Sequence, residues 1–265
     1  MEKLRIVTTS WDDGDPADLK VADLLASRGL PGTFYVPMTG YRGRATLGSA
    51  DLKSLASQGF EIGAHGVSHR TLSLLPLEEI ECEVRVSKEV LEEILGSDVG
   101  MFCYPRGHYN RRVLRSLRAA GYKGARTTRM LAIDLNFNSF EMPTSLQVYP
   151  HSEWTYVRNI AKARNVSRLF DYLSRFRGAG SWVMLGKELF DRVLEQGGVW
   201  HLYGHSWEIE ELGLWDGLRE LVDYVCGREG VLYASNRDAL RLRPAGAECS
   251  GATEEVCENQ DYSRP

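Results

Sequence analysis

Three carboxylates fall within four positions in the stretch Thr8-Thr9-Ser10-Trp11-Asp12-Asp13-Gly14-Asp15-Pro16, directly after an apolar run. Adjacent Asp side chains repel one another, and burial at a strand end makes that costly unless a cation or a shared proton compensates. Taken alone the stretch also reads as a turn, because Asp-Gly and Asp-Pro are ordinary turn dipeptides. A second group lies in Ala64-His65-Gly66-Val67-Ser68-His69. His65 and His69 stand four apart, which puts two imidazoles on one side of a helical turn or compact loop and suits a single metal ion. An isolated pair of this kind is more often two polar loop residues. Its coincidence with Asp12-Asp13 favours the metal: two imidazole nitrogens and one Asp oxygen bind zinc or a similar divalent ion and leave a position open for water.

These residues need elements to hold them. Short β-branched or aromatic runs recur at Leu4 to Thr9, Thr33 to Val36, Phe60 to Ala64, Met101 to Tyr104, Gly124 to Thr127, Val199 to Tyr203 and Val231 to Ala234, with helical patterns between them. Strands alternating with helices imply βα units and a mainly parallel sheet, and about seven repeats favour a closed or nearly closed barrel. In such folds the active site gathers at the C-terminal strand ends. The expected ends carry Asp12-Asp13, His65 to His69, Tyr104-Pro105-Arg106-Gly107, and Gly204-His205-Ser206-Trp207-Glu208. Pro76-Leu77-Glu78-Glu79 opens a long amphipathic helix that Gly96 should end. A helical insertion is expected near 153–196, broken at Gly178-Ala179-Gly180 and resuming at Gly186 to Glu195. Residues 1–242 then form one barrel, and 243–265 loses apolar periodicity and reads as a disordered tail.

Composition narrows the function classes. The 265-residue chain is 43% hydrophobic and 26% charged, with a formal net charge of −4, so it offers no basic field for nucleic acid. No apolar stretch is long enough for a membrane span. Met1 to Ser10 shows no charged leader followed by an apolar region, so a cytoplasmic location is expected. The five cysteines, scattered without CxxC spacing, point to reduced thiols.

Taken together the four groups resemble the polysaccharide deacetylases of the NodB-homology type, carbohydrate esterase family four. Ser10-Trp11-Asp12-Asp13-Gly14 is similar to that family's TFDDG element and His65-Gly66-Val67-Ser68-His69 to its H-[ST]-x-x-H element. Phe102-Cys103-Tyr104-Pro105-Arg106-Gly107 is similar to F-R-x-P-x-G, and Tyr203-Gly204-His205-Ser206 to the late L-H-[DN] element. The resemblance implies a distorted, partly open (β/α) barrel of about seven parallel strands. It implies that Asp13, His65 and His69 hold one divalent ion, zinc or else cobalt or nickel. Asp12 would be the general base, His205 the general acid, and the backbone N–H of Arg106 a donor to the oxyanion. The implied reaction is removal of acetyl from an N-acetylated sugar or glycan.

The departures are specific. Cys103 replaces the family's Arg that orients the base, and Arg126 is the candidate to take over. Gly66 removes a hydroxyl after the first metal His, and the Asp-plus-Trp fourth element has no clear counterpart. His201 reads as a satisfied core histidine, while His108 and His151 read as loop residues. Trp11, Tyr203, Trp207, Glu208 and Arg126 are candidate substrate contacts, with Trp11 and Trp207 core residues by default and Glu208 equally a helix cap with Ser206. Two other functions stand beside the deacetylase: an amidohydrolase opening a small cyclic imide or ureide, and a carbohydrate-binding barrel that has lost activity. Oligomeric state is not legible.

Overall fold

The computed structural model describes residues 3–152, 154–156, 158 and 181–244. Its strands are β1 (Arg5–Asp12), β2 (Thr33–Val36), β3 (Glu61–Ala64), β4 (Met101–Cys103), β5 (Gly124–Arg126), β6 (Leu146–Gln147), β7 (Gly198–Gly204) and β8 (Leu232–Tyr233). They form one sheet in the order β5-β4-β3-β2-β1-β7-β6, with β8 added against β1, and every pairing is parallel. β1 is central, and from Ile6 onward all of its residues are buried, as a strand covered on both faces must be. Parallel pairing brings the ends of β1, β3, β4, β5 and β7 to one side of the sheet.

The sheet curls almost onto itself. Segment 142–148 spans the two ends: Thr127 N–H donates to the Met142 carbonyl at 2.9 Å, Ser145 N–H to His201 at 2.8 Å and Val148 N–H to Tyr203 at 2.8 Å. So few bonds make a seam rather than a full strand, and the result is the distorted, partly open barrel that the resemblance implies. β6 is the strand the sequence does not announce, since two residues carry no periodicity.

Helices α1 (Asp18–Ala26), α2 (Ser49–Ser57), α3 (Leu77–Leu95), α4 (Arg111–Ala119), α5 (Trp182–Gln196), α6 (Ser206–Leu212), α7 (Trp215–Val225) and α8 (Asn236–Leu242) complete the described fold. α3 begins after Pro76 with Glu78 and Glu79 in its first turn, favourable to the helix dipole, and ends at Gly96, whose φ of 67° is open to glycine at little cost. α3 and α5 turn Ile80, Val84 and Leu91, and Leu185, Leu189 and Val193, into the core. Each such side chain contributes roughly 1.5–3 kcal/mol by leaving water. Of the expected insertion, α5 and residues 154–156 and 158 are described, and 159–180 lie outside the described residues. Of the expected tail only 243 and 244 are described. Arg243 is held in place by the Phe137 carbonyl, by Ser139 Oγ at 3.1 Å and by the Phe137 ring. Cys82, Cys103 and Cys226 are free thiols. No helix among the described residues is long and apolar enough to cross a membrane.

Candidate active site

The turn after β1 sends two adjacent carboxylates in different directions. Asp13 adopts φ 76°, a left-handed conformation that costs a non-glycine residue on the order of 1–3 kcal/mol and persists only where surrounding contacts over-determine it. Asp12 consequently meets the ends of β4 and β5, while Asp13 meets the loop after β3.

Asp12 is buried and ion-paired with the Arg126 guanidinium, and the Cys103 thiol donates toward its other oxygen at 3.7 Å. Arg126 is 0% exposed and lies between the rings of Tyr203, 4.7 Å away, and Tyr35, 5.4 Å away. Burial opposes its charge, but the Asp12 carboxylate prevails and raises its pKa. Burial likewise pushes the Cys103 thiol up, so it stays a neutral donor.

Asp13 Oδ1 lies 3.1 Å from His69 Nε2 and 3.6 Å from His65 Nε2, and the three side chains place their donor atoms within 4.8 Å of one another. Its Oδ2 accepts the Trp207 indole N–H at 2.9 Å. His65 donates its Nδ1–H to the Cys103 carbonyl at 2.8 Å, which leaves the Nε2 lone pair directed at Asp13. A lone pair facing a carboxylate calls for positive charge between them. In a protein without an ion that charge is a proton: burial opposes it, yet the Asp13 carboxylate holds the His65 pKa well above its ordinary value. Asp13 is in turn held well below the usual carboxylate range, its burial outweighed by the close imidazoles of His65 and His69 and by His205. Burial pushes His69 down. Asp13 Oδ1 is buried without a geometrically sound hydrogen bond. A divalent ion would satisfy that oxygen and both imidazoles at once, so the donor set fits one.

His205 follows β7 and points Nε2 between the carboxylates, 3.9 Å from Asp12 and 4.0 Å from Asp13. Its Nδ1–H donates to Glu208 Oε2 at 2.8 Å, and Gln147 Nε2 donates to the same oxygen at 3.1 Å. Burial lowers the His205 pKa, but the Glu208 bond and the charges of Asp13 and Asp12 carry it up to about 9. An ion on Asp13 would offset part of that rise. The Gln147 carbonyl oxygen takes the Tyr203 hydroxyl and His151 Nε2–H, each at 2.8 Å.

The structure therefore brings Asp12, Asp13, His65, His69 and His205 together at one end of the sheet, and it corrects the substrate contacts. Trp11 is 0% and Tyr203 3% exposed, so neither offers a wall to a sugar; Trp11 packs in the core and Tyr203 against Arg126. Arg126 is sealed off and reaches solvent chemistry only through Asp12. Trp207 is also buried, with its N–H on Asp13, and Glu208 neither caps α6 nor faces outward but holds His205. His201 sits within the barrel: its Nδ1–H donates to the Pro143 carbonyl at 2.9 Å, and Nε2 accepts from Ser10 Oγ at 2.8 Å. Arg106 lies in the turn after β4 at φ 59°. Sequence reasoning missed Tyr41, whose ring lies 4.2 Å from that of His69, and Arg44, which covers the Trp207 ring at 4.7 Å. It also missed Glu83, an acid on the buried face of α3 between Ile80 and Val84, where a charged residue breaks the apolar stripe.

Residues 2–125 match the family model for polysaccharide deacetylase. YxkH of Bacillus subtilis (strain 168), described provisionally as a polysaccharide deacetylase, is 24% identical over 125 residues, which is 47% of this chain and 45% of YxkH. The match thus spans less than half the length of that curated relative. Among solved structures, a Mycobacterium smegmatis protein, also provisionally described as a polysaccharide deacetylase, superposes with a TM-score of 0.67 at 18% identity, covering 92% of this chain and 91% of the other. A family 4 carbohydrate esterase from Streptomyces lividans, solved with acetate, gives 0.55 at 12% identity over 88% and 92%. These two likenesses show the shared fold.

Proposed function

From the resemblance to the polysaccharide deacetylases, which these matches bear out, we propose that the chain is a metal-dependent hydrolase that removes acetyl from an N-acetylated sugar or glycan. One observation carries the reading. His205 Nε2 stands about equally far from the carboxylates of Asp12 and Asp13, at 3.9 and 4.0 Å, so a base, an ion site and an acid surround one point.

Asp13, His65 and His69 would hold the ion, with zinc favoured and cobalt or nickel alternatives. When bound, such an ion polarises an acyl carbonyl and lowers the pKa of water. Asp12 is the base: the Arg126 pair and the Cys103 thiol fix its carboxylate, and it takes a proton from the attacking water. His205 is the acid: Glu208 holds its Nδ1–H, so Nε2 is the atom that passes a proton to the departing nitrogen. The N–H groups of Gly107 and His108 close the turn after β4 onto Tyr104 and Pro105 at 2.8 and 3.3 Å, and in that turn the resemblance gives the Arg106 N–H the role of donor to the oxyanion.

The test is acetate release from chitin oligomers and N-acetylhexosamine conjugates by chelator-treated protein with and without added zinc. An O-acetylated sugar and a cyclic imide run alongside. Metal-dependent acetate release from the N-acetylated substrates is the expected result. Ring opening of the imide without acetate release would move the activity to the amidohydrolase reading, and inactivity on the whole panel with metal bound would favour the binding barrel.

A further inference from the structure

The two imidazoles sit at either end of a short loop, and that loop is tied to a helix by one carboxylate. Glu83 Oε2 accepts the backbone N–H of Val67 at 2.6 Å and of Ser68 at 3.0 Å, and Oε1 accepts the Ser68 hydroxyl. Glu83 is 6% exposed and rides on the 19-residue α3, whose Ile80, Val84 and Leu91 are fixed in the core. The loop turns through two left-handed residues: Gly66 at φ 78°, which glycine adopts freely, and His69 at φ 53°, which costs a non-glycine residue. A Cβ on Gly66 would lie 3.1 Å from Glu83 Oε2, so glycine here makes room for the carboxylate. A non-glycine residue such as His69 stays in the left-handed region only when neighbours over-determine it.

We infer that Glu83 is the positioning residue of the ion site, setting the separation and tilt of His65 and His69 through the backbone of Val67 and Ser68. The inference rests on the reading that Asp13, His65 and His69 hold a divalent ion. Glu83 itself offers the ion no atom: both its oxygens are engaged by the loop. It acts by keeping the loop in the conformation that points both Nε2 atoms at Asp13 Oδ1. A ligand pair that must be ordered at the moment of binding loses affinity relative to one already in place, and losses of about 10- to 100-fold are usual when a residue behind a metal ligand is removed.

The test is the zinc dissociation constant of the full chain, measured by competition with a chromophoric chelator, beside the visible spectrum of the cobalt form and the melting temperature of the metal-free form. Glu83→Met keeps the volume but removes both acceptors from the loop, Glu83→Asp keeps the charge on a shorter stem, and Ser68→Ala removes one hydroxyl. Zinc affinity should fall about 10- to 100-fold in Glu83→Met, fall less in Ser68→Ala and be partly recovered in Glu83→Asp, with an altered cobalt spectrum in Glu83→Met. Should Glu83→Met fail to fold, Ser68→Ala still decides through its affinity and spectrum. Wild-type affinity and spectrum in these variants would overturn the inference while leaving the ion site intact. A wild-type chain that binds neither zinc nor cobalt would instead sink the metal reading, and this inference with it.

Discussion

His201 gives the sharpest quantitative test of how the barrel interior is built. Its ring is fully buried with both nitrogens engaged as a neutral imidazole requires: Nδ1–H donates to the Pro143 carbonyl, and Nε2 accepts from Ser10 Oγ at 2.8 Å and Asn236 Nδ2 at 3.3 Å. A proton on Nε2 would face two donors. Burial, reinforced by the nearby Arg126 charge, lowers the His201 pKa from 6.5 to about 3. The sign follows from linkage: the unfolded chain binds a proton near pH 6.5 that the folded chain refuses until about pH 3, so stability is intact above 6.5 and is lost as pH falls through that window. At pH 5 the interval below 6.5 is 1.5 units, which at about 1.4 kcal/mol per unit amounts to about 2 kcal/mol. The assay is urea unfolding at pH 7.5 and pH 5 for the parent and for His201→Gln, whose side-chain oxygen can still accept from Ser10. Only the difference in pH dependence is read, so the variant's own loss of stability cancels. The parent should lose about 2 kcal/mol more than the variant between the two pH values. Equal slopes in the two proteins would refute the argument that a neutral, doubly bonded His201 is part of the fold.

The remaining predictions concern the site. Asp12→Asn should keep its ion and lose on the order of a hundredfold or more in acetate release, whereas Asp13→Asn should lose ion affinity; metal content measured beside turnover separates the two, and the opposite pattern reverses the roles. Arg126→Met should leave a buried carboxylate unpaired and cost about 3–5 kcal/mol in denaturant unfolding, with turnover lost in whatever folds. Cys103→Arg should also destabilise, because Arg126 already fills the contact with Asp12; a gain in turnover there would show that space exists. Glu208→Gln should keep the ion and its affinity while acetate release falls about a hundredfold, because the amide oxygen can still take the Nδ1–H but the carboxylate charge that favours the protonated His205 is gone; unchanged turnover would remove Glu208 from the machinery.

What the sequence disclosed, and what it withheld, follows from the range over which each feature is encoded. β1, β2 and β3 are local apolar runs, and α3 carries its own start and stop signals, so these elements and their order could be read directly. The grouping of Asp12, Asp13, His65, His69 and His205 could be read as well, because parallel strands deliver their C-terminal ends to one side whatever the detailed register. What orients those groups is encoded differently. Glu208 is three residues from His205, yet whether it caps α6, meets substrate or holds the imidazole depends on how the chain turns off β7. Trp11 and Trp207 border the site elements and could by type stack on a sugar, and only the packing shows that Trp11 is spent on the core while Trp207 gives its N–H to Asp13 and its ring to Arg44.

The Cys103 departure shows the same limit most clearly. Cys103 and Arg126 are register partners in the parallel pairing of β4 with β5, so their Cα positions lie side by side although 23 positions separate them in the chain. An arginine on β5 at that level reaches the same carboxylate that an arginine on β4 would reach, and the small buried thiol leaves it the room. The orienting charge can therefore pass from one strand to its neighbour while the geometry at Asp12 is kept. The sequence marks this as a loss at 103 and an unassigned arginine at 126. Only the register between the two strands joins them, and it accounts for an Asp12 carboxylate that remains tethered without the residue expected to tether it.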